Sequence, residues 1–341
     1  MTAQTMDKVK KEEIWEQVKA SPTTTTPAQL ALLKAARQAL ADEYLALPKE
    51  EQEAMQFQQI YPGGNWDDYY YASLNAALAD GTTALLRADF LERLAAAGRP
   101  LGHRAELPPE AFYEGPIWAE GNNKGVIIVG LSYMWATADH PDPDGEQLRD
   151  VAKYLRWLQE AGGWLGHKGK LVAVFWDWAS LYQDKPFFDP RRTEEQTRMF
   201  KSGLQNVNLW YCHPNTLTLM NRKTPAGRQW SYDDSGWPLF ERAVSQFVKD
   251  ELGVMDLHSV LETLADEEVE DEVKNEFYYM AKTCGKRFKP APPLAPVAMS
   301  LKLAVAHFTN GADVAFVQGK YEATFLLVLG KAKQLSFAVM G

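Results

Sequence analysis

The sequence predicts an α/β fold built on a parallel sheet in three layers. Three observations predict it. Strand-like apolar runs and amphipathic helices alternate three times between residues 125 and 250, the pattern of βαβ units. The runs GVIIVGLSYMW (125–135) and KLVAVFWDWASL (170–181) are apolar almost without interruption, as strands covered on both faces must be. Eight of the eleven tryptophans fall between Trp135 and Trp237, a density that marks a core or pocket rich in large rings.

Residues 1–98 read as a helical N-terminal module. Thr26-Pro27 can open a helix, and residues 28–47 repeat apolar positions at three- and four-residue spacing. Pro62-Gly63-Gly64 breaks the pattern. Residues 66–80 and 84–98 give two more helices, the second closed by Gly98 and Pro100. Packing on the next domain is the expected role, with protein partners or self-association through these helices as the sharper expectation. Residues 99–122 are a connecting segment rich in Pro and Gly, with Phe112, Tyr113 and Trp118 placed to lie on a neighbour.

The α/β domain is expected over 123–255. A strand ends at Ser132-Tyr133-Met134-Trp135. The loop ADHPDPDGEQ leads to a helix that runs to Gly162-Gly163. The second strand ends at Asp177, Trp178, Ser180 and Gln183. Thr193 and Gln196 form a capping box for the second helix. The run NLWYCHPNTLTLM (208–220) contains the third strand, interrupted by Pro214. SYDDSGWPLFERAVSQF (231–247) opens the third helix. Ligands of such sheets sit beyond the carboxyl ends of the strands, where these polar residues collect.

Residues 256–288 read as one long acidic helix with a solvated face, and 289–297 as a stiff Pro-rich linker. Residues 298–341 read as a helix and a final strand that stops in an apolar run without a cap, so a following module is expected. GVMDLH near Gly253 is a candidate further strand.

Composition excludes several classes. A net charge of −9 leaves no basic surplus for a general nucleic-acid binder. Two distant cysteines, Cys212 and Cys284, give neither a disulfide framework nor metal spacing, and suit a reducing compartment. The N-terminus lacks a secretory apolar stretch and the apolar runs are too short to span a bilayer, so a cytoplasmic protein is expected. No phosphate loop, dinucleotide fingerprint or metalloprotease motif occurs. Asp142, Asp144 and Gly145 lack the remaining ligands of a calcium loop, no metal site is expected, and His140 reads as a turn residue.

Ser235-Gly236-Trp237-Pro238-Leu239-Phe240-Glu241 matches, in spacing, the S-x-W-C-x-x-E-L pattern of the Toll/interleukin-1 receptor-like (TIR) family, with Pro238 in place of Cys and Arg242 in place of Leu. VFWDWASL resembles that family's second strand, and MFKSGLQNVNLWYC its helix leading to the third. The resemblance covers about residues 124 to 250. The first strand departs from the family's pattern at GLSYMW. The whole chain also resembles algal and protist multidomain proteins that carry leucine-rich repeats.

The resemblance implies a flavodoxin-like sheet and two different activities. Some members cleave NAD, and there the Glu of this motif is catalytic. On that reading Glu241 is the catalytic carboxylate, and Ser132, Tyr133, Trp135, Asp177, Trp178, Ser180, Gln183 and Trp237 bind the substrate. NAD would be substrate rather than cofactor, and no cofactor is expected. Cleavage of the nicotinamide–ribose bond passes through an oxocarbenium-like state that a carboxylate stabilises. Other members are non-catalytic scaffolds that self-associate. A nucleoside deoxyribosyltransferase-like enzyme solves the same N-glycosidic problem and is the second alternative. Against all three, a Trp and a Glu one turn apart also simply anchor a helix. No cation is clearly placed for a pyrophosphate, although Arg191 and Arg192 are candidates.

Overall fold

The computed structural model describes residues 81–115, 117, 126–161, 171–183, 192–249, 252–287 and 293–331, with residues 74 and 77–79 before them. Most of the expected N-terminal module lies outside the described residues. So do Trp118, Gly162-Gly163, Arg191, residues 289–292 of the linker and the expected final strand, while the linker's last two residues, Pro296 and Val297, open a helix.

Five strands form one mixed sheet: β1 (Leu86–Arg87), β2 (Ile127–Tyr133), β3 (Val172–Phe175), β4 (Thr216–Asn221) and β5 (Val254–Asp256). Their order is β1-β3-β2-β4-β5. β2, β3, β4 and β5 pair in parallel, and only the edge strand β1 runs antiparallel, against β3. The sequence reading placed Leu86 and Arg87 inside a helix. Two residues are too few for a periodic strand signal, and helix α1 (Ala88–Ala96) begins at the next position.

Helices cover both faces. On one face α1, α2 (Glu146–Glu160), α7 (Leu257–Ala265) and α9 (Phe277–Arg287) enclose Val129, Leu131, Val174 and Leu219. On the other, α5 (Val207–Tyr211), α6 (Gly236–Ser245), α10 (Pro296–Ala304) and α11 (Asp313–Lys331) enclose Ile128, Ala173 and Phe175. The continuous apolar strands follow from this double coverage. A short turn α3 (Asp177–Ser180) and the capped α4 (Glu194–Gln205) link β3 to α5, and α8 (Asp271–Asn275) precedes α9.

Two further sequence expectations change, and the Asp142 loop takes a definite form. NLWYC belongs to helix α5, and β4 starts only at Thr216. The close approach of this helix to the sheet explains Gly130: a Cβ there would lie 2.8 Å from the Trp210 carbonyl oxygen. The expected single acidic helix is three helices, α7, α8 and α9, separated by Asp266 and Glu276. The Asp142 loop is a helix entry: its carboxylate accepts from the backbone N–H groups of Gln147 (3.1 Å) and Leu148 (2.8 Å), while Gly145 supplies a left-handed φ of 67°.

The chain leaves β2 for β3 on one side and returns for β4 on the other. The topological switch point is therefore the crevice between the carboxyl ends of β2 and β4.

Candidate functional site

The strand pleat sorts the end of β2. Ser132 faces α6 and Tyr133 faces the opposite layer, because successive side chains alternate. From α6, Glu241 reaches the same end of the sheet. Ser132 Oγ donates to Glu241 Oε2 at 2.6 Å, and Ser132 Oγ lies 2.6 Å from the Tyr232 hydroxyl. With the serine proton on Glu241, the proton of the second contact belongs to Tyr232. The result is a chain from phenol to serine to carboxyl. Tyr211 donates its hydroxyl proton to Leu131 O at 2.9 Å and lies beside the carboxyl.

Glu241 is 6% exposed, Ser132 is fully buried and Tyr232 is 1% exposed. Burial pushes the Glu241 carboxyl up to about 8, the Ser132 hydrogen bond and the nearby Tyr211 hydroxyl oppose the shift, and the charge of Asp177 adds to it. No Lys, Arg or His among the described residues pairs with this carboxyl.

The second carboxyl, Asp177, opens the turn after β3. It accepts from the Tyr133 hydroxyl at 2.6 Å and from the Trp178 backbone N–H at 2.7 Å. Burial still pushes it above the usual carboxylate range. The charge of Asp177 adds to the rise of Glu241, and both charges raise the Tyr133 hydroxyl.

Aromatic rings pack beside Asp177. Trp135 meets Trp178 edge-on at 5.4 Å, His140 lies 4.9 Å from Trp178, and His103 lies 5.7 Å away. The Trp178 indole donates to Leu101 O. His140 is the turn residue expected, its Nδ1 accepting from the Asp142 N–H at 2.9 Å, and its ring covers Trp178 as well.

The structure thus gathers two clusters at the carboxyl edge of the sheet, Ser132 with Glu241 toward one layer and Tyr133, Trp135, Asp177 and Trp178 toward the other. It places three other candidates differently. Trp237 turns away toward α11, where its indole donates to Asp313 Oδ2 at 2.9 Å. Ser180 is fully buried, and its Oγ accepts from the Trp176 N–H at 2.9 Å, closing the turn. Gln183 holds that turn from outside, donating to Asp177 O at 2.9 Å. Of the suggested cations, Arg192 lies over the Phe200 ring and donates to Tyr182 O.

Tyr211, Tyr232, Arg222, Asp233 and Arg242 escaped the sequence reading. Tyr211 was hidden by the misread strand. Tyr232 stands in the Ser/Asp turn ahead of the helix, where an aromatic between Ser231 and Asp233 is the only signal. Asp233 lies between two guanidiniums, Arg222 at 2.7 Å on Oδ2 and Arg242 on Oδ1.

The site is closed. A cavity of about 850 Å³ opens elsewhere, beside Thr83, Arg104, Tyr113, Tyr182 and Gln196, and neither carboxyl lines it. Among the described residues no group of three His, Cys, Asp or Glu is placed to hold a metal ion, and no helix is long and apolar enough to cross a membrane. Comparison of the chain with protein-family models, curated proteins and solved structures returns no match.

Proposed function

We propose that the carboxyl edge of this sheet is an N-glycosidic site of the TIR-like kind, in which Glu241 acts on the nicotinamide–ribose bond of NAD. The observation that carries the reading is a buried carboxyl without a cationic partner, set on a hydroxyl chain at the topological switch point, with a second carboxyl nearby. Counted over the parallel strands alone, the sheet order is 2-1-3-4, the start of the flavodoxin-like order, which supports the TIR-like reading.

The chemistry asks little of a general acid, because nicotinamide leaves a pyridinium as a neutral ring. The C1′–N bond breaks and its electron pair goes to the ring nitrogen. Water then adds to C1′ and loses a proton. Glu241 stabilises the oxocarbenium-like cation between these steps. It must be ionised to do so. The positive ring of the substrate favours the carboxylate, so docking releases the proton that burial holds on Glu241. Ser132 aims the carboxyl, Trp135 offers a stacking face, and Asp177 with Tyr133 reaches ribose hydroxyls. NAD is substrate here, and no cofactor is invoked.

One observation favours a non-catalytic scaffold instead: Glu241 and Tyr232 are nearly inaccessible. Assembly through the N-terminal helices would reconcile the two readings if self-association opened the crevice. The carboxyl pair favours the deoxyribosyltransferase-like alternative to the same extent as NAD cleavage. Two buried free cysteines, Cys212 and Cys284, fit a cytoplasmic setting.

NAD consumption by the full chain over a range of protein concentrations, beside Glu241→Ala, tests the reading. Nicotinamide release that rises steeply with concentration and vanishes in the variant supports it. Self-association without release at any concentration supports the scaffold. Base exchange on deoxyribonucleosides supports the second alternative.

A further inference from the structure

The turn that carries Tyr232 is held by charge. Asp233, the next residue, receives Arg222 from the end of β4 on one oxygen and Arg242 from α6 on the other. Two guanidiniums from two elements converging on one small anion is the geometry by which arginines grip a phosphate. Arg222 also lies 4.0 Å from Asp256, whose other oxygen caps α7 at the Ser259 N–H. Arg242 projects from the helix that bears Glu241. A third cation, Arg228, lies over the Trp230 ring and donates to Trp135 O on the same rim. The side chains of Asp233, Arg222 and Arg242 are 42%, 36% and 16% exposed, so the anion position is open to solvent while the inner guanidinium is largely desolvated.

We propose that Arg222 and Arg242 form an anion site that Asp233 fills from within, and that a ligand phosphate or pyrophosphate binds by displacing Asp233. The proposal rests on the nucleotide reading above and supplies the cation that the sequence left unplaced. It makes Asp233 an internal competitor and the resting site self-blocked. Tyr232 shares the displaced turn, so the exchange also loosens the cover over Glu241.

Calorimetric titration of the full chain with inorganic pyrophosphate tests it. Asp233→Asn binds pyrophosphate at least tenfold more tightly than the parent, and Arg222→Gln added to it returns affinity to the parent level or below. Higher salt weakens the gain. Equal affinity of Asp233→Asn and parent overturns the proposal, as does a gain that survives loss of both arginines. Should Asp233→Asn fail to fold, the parent decides: pyrophosphate raises its melting temperature, and Arg242→Gln abolishes the rise; a rise unchanged in Arg242→Gln, or no rise in the parent, overturns the site. ADP run beside pyrophosphate names the source, tighter binding indicating a nucleotide and equal binding a free phosphate; either result upholds the site. Pyrophosphate binding as expected without nicotinamide release keeps the anion site and removes the N-glycosidic reading, so the two fail separately.

Discussion

Ser132 and Glu241, 109 positions apart in the chain, meet in a 2.6 Å hydrogen bond at the carboxyl end of the central strand. The contact joins β2 to α6 and fixes which Glu241 oxygen faces the switch point. Its energetics follow from burial. A carboxyl stripped of water and offered only hydroxyl donors holds its proton, and each donor matters more than it would at the surface.

Glu241→Gln removes a titration. The folded carboxyl titrates near 8 against an ordinary value of 4.5, so the fold prefers the protonated form. The stabilisation is complete below about pH 4.5 and is lost as pH rises through 8. The parent therefore loses roughly 4 kcal/mol across that window from this group, an order-of-magnitude figure. The variant is as stable as the parent in acid and more stable above pH 8. Urea midpoints at pH 5 and pH 8.5 check this; parallel pH profiles for the two proteins would contradict it.

Tyr232 acts on Glu241 through Ser132, so their substitutions do not add. Ser132→Ala leaves the carboxyl without its shortest donor and costs about 1–3 kcal/mol, and Tyr232→Phe costs about 1 kcal/mol. The double variant costs less than the sum by 0.5 kcal/mol or more, on the order expected for groups in one network. Additive denaturation energies would break the chain.

The buried face of α6 continues to Lys249, whose ammonium donates to Thr216 Oγ1 at 2.8 Å and Thr218 Oγ1 at 2.9 Å. Burial pulls it down to about 7 from 10.5, slightly opposed by Cys212. A depressed lysine acts with the sign opposite to Glu241. Its stability is full above pH 10.5 and is lost as pH falls through 7. Lys249→Met therefore stabilises the fold by about 2 kcal/mol at pH 6, after the lost hydrogen bonds are allowed for, and destabilises it by about 1–2 kcal/mol at pH 10, where the lost hydrogen bonds outweigh the small remaining relief. Thermal melts at the two pH values measure the difference.

Trp237 belongs to packing, not to the crevice. Trp237→Phe loses the Asp313 hydrogen bond and destabilises by about 1 kcal/mol. Nicotinamide release per folded molecule stays unchanged. A fall in kcat with intact stability would return Trp237 to the site.

The α/β class was legible because strands buried on two faces must be apolar throughout, and β2 and β3 are. The Thr193 cap was legible because capping is local chemistry. NLWYC misled because a short apolar run of aromatics fits a buried helix as well as a strand, and only the contact of Trp210 O against Gly130 decides between them. Ser132, Tyr133, Asp177 and Glu241 were legible by position, at strand ends and in one spaced motif. Their partners were not. Tyr211 comes beside the carboxyl and Tyr232 reaches Ser132 through tertiary approach, and the Arg222–Asp233–Arg242 cluster joins two loop residues to one on helix α6 that nothing local pairs.

The central claim is that Glu241 is a proton-holding carboxyl that must ionise to work. The most direct measurement is nicotinamide release from NAD by the full chain between pH 5 and 9.5, parent beside Glu241→Gln. The account predicts a parent rate that rises with pH, with its midpoint below the free-enzyme value of about 8 once the cationic substrate is bound, and no release by the variant. Release by Glu241→Gln at the parent rate, or no release by the parent at any pH and concentration, would contradict it.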